Sequence, residues 1–304
     1  MSQTLQSPVD HGLMSPGHLG CQGCGAALAM RYVLDALGEK TIIVIPACCW
    51  SIIAGPFPYS ALKVPVLHTA FETAAIAAAG VRAALDTQGD TETTVVAWAG
   101  DGGTFDIGLQ ALSGAAERNE NILYVCYDNE AYMNTGIQRS SATPWGAWTT
   151  TTPRVKREFK KDIMQIMAAH RIPYAATASI AYPDDLVEKV VKAKSMQGLK
   201  FLHVFAPCPT GWKAASELSV QLARLAVLTR VFPLYEIEWG IDYTLAETEN
   251  PLPIGEYTKH QGRFKNLDEH DLKLLQKRID DRWALLRELS KIPNPVSLKP
   301  PVVS

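Results

Sequence analysis

The sequence has little that would tie it to nucleic acid, to a membrane or to an oxidising compartment. Its 29 Lys and Arg against 31 Asp and Glu leave a net charge of −2, and no basic run is long enough to track a phosphate backbone. No uninterrupted apolar stretch reaches the ~20 residues that a bilayer-spanning helix needs. Residues Met1 to Gly20 are polar and punctuated by Pro and Gly, without the charged-then-apolar order of a secretory signal. Six cysteines in 304 residues are too few for a disulfide scaffold. They are expected as thiols in a reducing cytoplasm, either small core residues or metal ligands.

What is present suits a globular α/β chain. Hydrophobic residues make up 47% and charged residues 20%, enough to bury a sizeable core. Apolar, β-rich runs recur at Thr41–Pro46, Thr94–Ala99, Ile122–Tyr127, Tyr174–Ala178 and Phe201–Ala206. They read as continuous hydrophobic segments, the pattern of central strands covered on both faces. Helical stretches lie between them at Gly25–Leu37, Phe71–Leu85, Ile107–Arg118, Asp162–His170 and Pro183–Met196. The alternation predicts a doubly wound, mostly parallel sheet. Past Pro207 a helix over Ser216–Thr229, a short strand over Phe232–Ile237 and a helix over Asp268–Leu289 are expected, then an extended Pro-rich tail from Ile292. The organisation read from this is an arm over residues 1–20, an α/β domain over 21–240, and an extension over 241–304 that wraps on a neighbouring subunit.

The strand Thr94–Ala99 runs into Gly100-Asp101-Gly102-Gly103-Thr104. Glycines at a strand's carboxyl end let backbone N–H groups approach phosphate oxygens, and Asp101 there would be a hard ligand for Mg²⁺. A tight turn with an acidic helix cap is the plainer alternative. The next strand ends in Asp128-Asn129-Glu130-Ala131, where the Asn129 side-chain oxygen and the Ala131 carbonyl could reach the same ion.

Cys21-Gln22-Gly23-Cys24 is a CxxC loop ahead of a helix, which suits zinc, a redox disulfide or an iron–sulfur cluster. It does not continue as the CxxCxxC of a small ferredoxin, so further ligands must come from Cys48, Cys49, Cys126 or Cys208. Cys49 and Cys208 each follow a strand, on the edge that carries Asp101, whereas Cys126 lies inside a buried run. Cys21, Cys24, Cys49 and Cys208 are therefore favoured.

The Gly-Asp-Gly…Asn spacing resembles the thiamine diphosphate motif. The longer run GDGGTFDIGLQALSG…YDNEAYMNTG…TP, with CxGCG early and PC followed by Trp late, resembles the β-type subunit of the 2-oxoacid:ferredoxin oxidoreductase family. The likeness covers about Gly17 to Gly240 and again Pro253 to Gln276. It implies a thiamine diphosphate-binding fold in which Asp101, Asn129 and the Ala131 carbonyl hold Mg²⁺ and Gly100 and Gly102 line the diphosphate. It places Asn134 beside the reacting carbon and turns Glu72, in Leu67-His68-Thr69-Ala70-Phe71-Glu72, towards the active site; as a bare sequence feature Glu72 is a first-turn acid of a helix. Cys21, Cys24, Cys49 and Cys208 would hold a [4Fe–4S] cluster, with Cys49 next to the cofactor.

The implied activity is oxidative decarboxylation of a small 2-oxo acid, with electrons leaving through the cluster to ferredoxin and the acyl group leaving on coenzyme A. Pyruvate is the first expectation, a branched-chain 2-oxo acid or oxalate the alternatives. Ala47-Cys48-Cys49-Trp50 stands where the family usually has Thr-Gly-Cys, which leaves substrate choice open. No second thiamine-binding domain is present, so an α-type partner must complete the cofactor site, with γ- and δ-type subunits carrying ferredoxin-like clusters. The rival reading is a non-redox thiamine enzyme with a structural zinc site. Of the remaining residues, His68 is expected to be structural, Arg139 to be an anion contact or a solvated arginine, and Trp145 and Trp148 to line a subunit interface or, failing that, a pocket.

Overall fold

A computed structural model describes residues 12–293. One sheet of eight strands runs β2-β1-β3-β4-β6-β5-β7-β8. The strands are β1 (Thr41–Pro46), β2 (Val66–Thr69), β3 (Thr94–Gly100), β4 (Leu123–Asp128), β5 (Tyr174–Ser179), β6 (Lys200–Phe205), β7 (Tyr235–Glu238) and β8 (Asp242–Leu245). The first six pair in parallel, and β7 and β8 add an antiparallel edge.

Because side chains alternate across a strand, the continuous apolar runs divide between two cores. Ile43, Ile45, Val96, Trp98, Leu123, Val125, Leu202 and Val204 face the helices Gly25–Leu37, Pro183–Ser195 and Ser219–Leu228. Val44, Val95, Ala97, Tyr124, Cys126 and Phe201 face Ala74–Thr87, Leu109–Glu117 and Ile163–Ala169. Both faces are covered, so the doubly wound α/β expectation holds.

Local differences have physical reasons. The edge strand β2 escaped notice because it is short and half-exposed. The helix expected from Phe71 starts at Ala74, with Thr73 at the N-cap position, so Glu72 precedes the helix and is not in its first turn. The helix after the glycine loop opens with a π-turn, Gly103–Ile107, and becomes α-helical at Leu109.

Residues 241–293 pack on the α/β domain of their own chain. Ile254, Tyr257, Phe264 and Ile279 join the first core, and Leu286 joins the second. The helix Glu269–Leu289 starts at a capping box in which Asp268 and Asp271 each accept the other's backbone N–H. Most of the arm over 1–20 and the tail beyond Ile292 lie outside the described residues. Among those described, no helix is long and apolar enough to cross a membrane.

Candidate cofactor and cluster site

The chain leaves β1 towards β2 on one side, whereas β3 continues to β4 on the other. That reversal opens a crevice at the carboxyl ends of β1 and β3, the usual ligand position in open α/β sheets. Cys48 and Cys49 stand on one wall and Gly100–Gly103 on the other, around a cavity of about 170 Å³.

Asp101 is buried, and Ser140 Oγ donates to its Oδ2 at 2.5 Å. Burial, then the charge of Asp128, pushes the Asp101 carboxyl well above the usual carboxylate range. The Asn129 amide places one atom 2.8 Å from Ala131 O and 2.9 Å from Asp101 Oδ1. With nitrogen in that place, Asn129 donates to both oxygens. With oxygen there, three acceptors face one another, an arrangement that a cation makes favourable. Adjacent ligands of an octahedral Mg²⁺, each at ~2.1 Å, stand about 3 Å apart, so this donor set fits that ion.

The loop that carries Asn129 and Ala131 is braced from behind. Glu130 adopts φ 67°, a left-handed conformation costing about 1–2 kcal/mol for a residue with a side chain. Its carboxylate is held by Arg263 Nη2 at 2.7 Å and Lys160 Nζ at 2.9 Å, and its carbonyl accepts from Thr143 Oγ1 at 2.6 Å. Lys160 also pairs with Asp128, whose Oδ2 lies 2.7 Å from His203 Nε2. Trp212 Nε1 donates to Asn129 O at 2.8 Å, and the Arg263 guanidinium stacks on the Trp212 ring. Two otherwise unfavourable features, a strained residue and buried charges, are thus satisfied together.

The cysteines meet through backbone contacts. Gly25 N donates to Pro207 O at 3.0 Å, and a Cβ on Gly25 would lie 2.7–2.8 Å from the Ala206–Pro207 backbone. Only glycine permits this approach, which brings the CxxC loop against the Cys208 loop. Cys21, Cys24, Cys49 and Cys208 line one cavity of about 200 Å³. Among the described residues no three His, Cys, Asp or Glu side chains gather closely enough to hold a single ion; the four thiols surround a space. Burial, then the neighbouring Cys48, Cys208 and Cys24, pushes the Cys49 thiol up to about 12, and burial pushes Cys208 up to about 11. A bound metal centre would reverse this by stabilising thiolates. Backbone N–H groups of Ala26 and Ala27 already point at the Cys24 sulfur, and that of Gly211 at Cys208, as suits anionic sulfur.

Cys48 and Cys49 separate clearly. Cys48 lines only the cavity at Gly100–Gly103, beside Tyr127, whereas Cys49 lines both cavities. Cys126 points to the opposite face of the sheet. Asn129, Met133 and Asn134 also line both cavities, so the two share a wall. Gly102 has a further constraint: a Cβ there would meet the Tyr132 ring at 2.1 Å. Tyr132 OH donates to Asp106 Oδ2 at 2.6 Å, and Phe71 meets the ring edge-on.

Other candidates fall outside. Glu72 is exposed and lines neither cavity; its neighbour Phe71 does. Arg139 is exposed, 3.8 Å from Glu158, and His68 is exposed on β2. Trp145 is buried against Phe159 and lines a further cavity with it, and the half-buried Trp148 lies under Lys213. The bracing residues Ser140, Lys160, Trp212 and Arg263 were missed. Only Trp212, four residues after Cys208, stood in a recognised pattern.

The fold and this donor set define a thiamine diphosphate-binding α/β domain. The family model "Thiamine pyrophosphate enzyme, C-terminal TPP binding domain" matches residues 49–204. The chain is 54% identical over 289 residues to ketoisovalerate oxidoreductase subunit VorB of Pyrococcus abyssi, covering 91% of this chain and 93% of that one. It is 50% identical over 279 residues to pyruvate synthase subunit PorB of Methanothermobacter thermautotrophicus, covering 90% and 97%. A solved 2-oxoglutarate:ferredoxin oxidoreductase from Magnetococcus marinus aligns with 70% of this chain and 79% of its own, with a TM-score of 0.57 at 22% identity, a likeness of fold. The chain belongs to the β-type subunits of the 2-oxoacid:ferredoxin oxidoreductase family. It is one subunit of a multi-subunit oxidoreductase that uses thiamine diphosphate.

Proposed function

We propose that this chain holds the Mg²⁺–diphosphate half of the thiamine site together with a [4Fe–4S] cluster, in an enzyme that oxidatively decarboxylates a small aliphatic 2-oxo acid and passes the electrons to ferredoxin. The observation that carries the reading is the shared wall: Cys49, Asn129, Met133 and Asn134 border both the diphosphate cavity and the four-cysteine cavity. A redox enzyme needs that adjacency, and a structural zinc site does not.

Asp101, Asn129 and the Ala131 carbonyl hold the Mg²⁺, and the Gly100–Gly103 backbone faces the diphosphate. When bound, thiamine diphosphate supplies a carbon nucleophile and an electron sink for decarboxylation. Asn134, exposed on the shared wall, orients the substrate, while Phe71 and Met133 keep water from the reacting centre. Cys21, Cys24, Cys49 and Cys208 ligate the cluster. An α-type subunit supplies the pyrimidine side of the cofactor, and γ- and δ-type subunits carry electrons onward.

Neither cavity is lined by Lys, Arg or His. The described residues therefore offer no partner for a second carboxylate, which favours pyruvate and its branched homologues over oxalate. The names of the relatives, ketoisovalerate and pyruvate enzymes, agree with that class. The test is anaerobic turnover of the whole complex with a viologen dye against pyruvate, ketoisovalerate, 2-oxoglutarate and oxalate, with and without coenzyme A. Dye reduction should be at least ~10-fold faster with the aliphatic acids, the scale of one unpaired buried charge. Fastest turnover of a diacid would overturn the substrate class, and CO₂ release without dye reduction would overturn the redox reading.

A further inference from the structure

Glu130 lines neither cavity above, but a third, of about 260 Å³, behind the metal-binding loop. The inner wall is apolar, with Ile163, Phe232, Tyr257 and Ile279 all buried. The lining carries five cationic side chains against two acidic ones, Glu130 and Asp162. Two of the cations are engaged: Lys160 by Asp128 and Glu130, and Lys161 near Asp106. Arg230, Arg278 and Arg282 are not ion-paired among the described residues, although Arg282 lies against the Tyr235 hydroxyl and near His203. Arg230 Nε is buried without a hydrogen-bond partner, although its Nη2 donates to Thr248 O at 3.0 Å. Glu247, an acid close to Arg230, is already engaged by Arg287. Arg278 is exposed and stacks flat on Phe159, 3.4 Å from the ring centre.

An apolar interior behind guanidinium groups that no carboxylate pairs fits an anion with a hydrocarbon body. Guanidinium matches a carboxylate as a planar two-pronged partner. The volume lies just below the ~300–1,000 Å³ of drug-sized sites, too small for a nucleotide or a coenzyme. We propose that this cavity binds a small organic monocarboxylate, hydrocarbon inward against Phe232 and Ile279, carboxylate on Arg278 and Arg282. Its inner wall includes Glu130 and His203, the groups that hold the metal-binding loop from behind, so an occupant sits one residue from Asn129 and Ala131.

Calorimetric titration of hexanoate into the assembled complex, at ~0.15 M salt to screen surface charge, tests this. Saturable binding is expected, at least ten-fold weaker for the uncharged hexanol. The double variant Arg278→Ala, Arg282→Ala should weaken hexanoate at least ten-fold while keeping wild-type viologen turnover. Absence of saturable binding, equal binding of hexanol, unchanged affinity in the double variant, or equal competition by inorganic phosphate would each overturn the assignment. The readout is binding, so its failure is distinct from failure of the redox reading.

Discussion

Ser140 shows how much of the site depends on residues outside the motif. Its hydroxyl holds one oxygen of Asp101 and leaves the other facing Asn129 and Ala131. Loss of such an outer hydrogen bond typically costs 10–100-fold in metal affinity. Ser140→Ala should therefore weaken Mg²⁺-dependent thiamine diphosphate binding by about that factor while leaving iron content unchanged; loss of iron in parallel would mean general unfolding. A second residue-scale prediction lies far from the site. Burial, then Arg82, lowers the Lys200 ammonium to about 7, although its Nζ donates to Asn121 Oδ1 at 2.7 Å. The folded state thus binds the proton less tightly than the unfolded chain, at ~10.4. The cost of the buried charge is full below about pH 7 and is relieved as pH rises towards 10. Denaturant titrations of wild type and Lys200→Met should show a stability difference that shifts in favour of wild type across that window; a pH-independent difference would refute the shift. That Asp101, Asn129 and Ala131 come together, and that Cys21 and Cys24 share a loop, was legible because each sits in a short local pattern; Cys49 and Cys208 were placed by the strands they follow. Ser140, Lys160 and Arg263 were not legible, because they reach their partners across tens of residues and no local signal marks a lone polar residue for burial.

At the scale of elements, the site is built by loops that glycine allows to touch. Helix propensity favours Ala over Gly by up to ~1 kcal/mol, so on local grounds Gly25→Ala should stabilise the helix Gly25–Leu37. The Cβ would instead meet backbone at 2.7–2.8 Å, and backbone cannot yield as a flexible side chain does. The variant should fold yet lose most of its iron, measured as iron per chain; full iron content would show that the approach of the two loops is not needed. The extension supplies the other element-scale contact. Arg263→Leu leaves buried Glu130 with Lys160 alone and should cost about 3 kcal/mol in denaturant unfolding, the lower end for breaking a buried pair. Five of the parallel strands and the helix Gly25–Leu37 were readable from hydrophobic runs, because buried parallel strands carry strong signals. The π-turn at Gly103–Ile107, the edge strand β2 and the docking of the extension were not. Their determinants are local geometry at a ligand loop, partial exposure, and contacts distant in sequence.

Across the whole molecule, the reversal of strand order at β1 and β3 places a glycine loop and a cysteine on opposite walls of one crevice. The Cys24 and Cys208 loops close beside it. Under the proposed function this chain supplies only the diphosphate half of the thiamine site, so the chain alone should reduce no dye with any 2-oxo acid, and activity should return when α-type partner is added. The central claim is that the four-thiol cavity holds a redox cluster through Cys49 beside the diphosphate site. The most direct measurement is low-temperature electron paramagnetic resonance of the dithionite-reduced complex, purified anaerobically as wild type, Cys48→Ser and Cys49→Ser. The cluster assigned to this chain should give its reduced [4Fe–4S] signal in wild type and Cys48→Ser, and that signal alone should vanish in Cys49→Ser. A spectrum unchanged by Cys49→Ser, or lost with Cys48→Ser instead, would contradict the account.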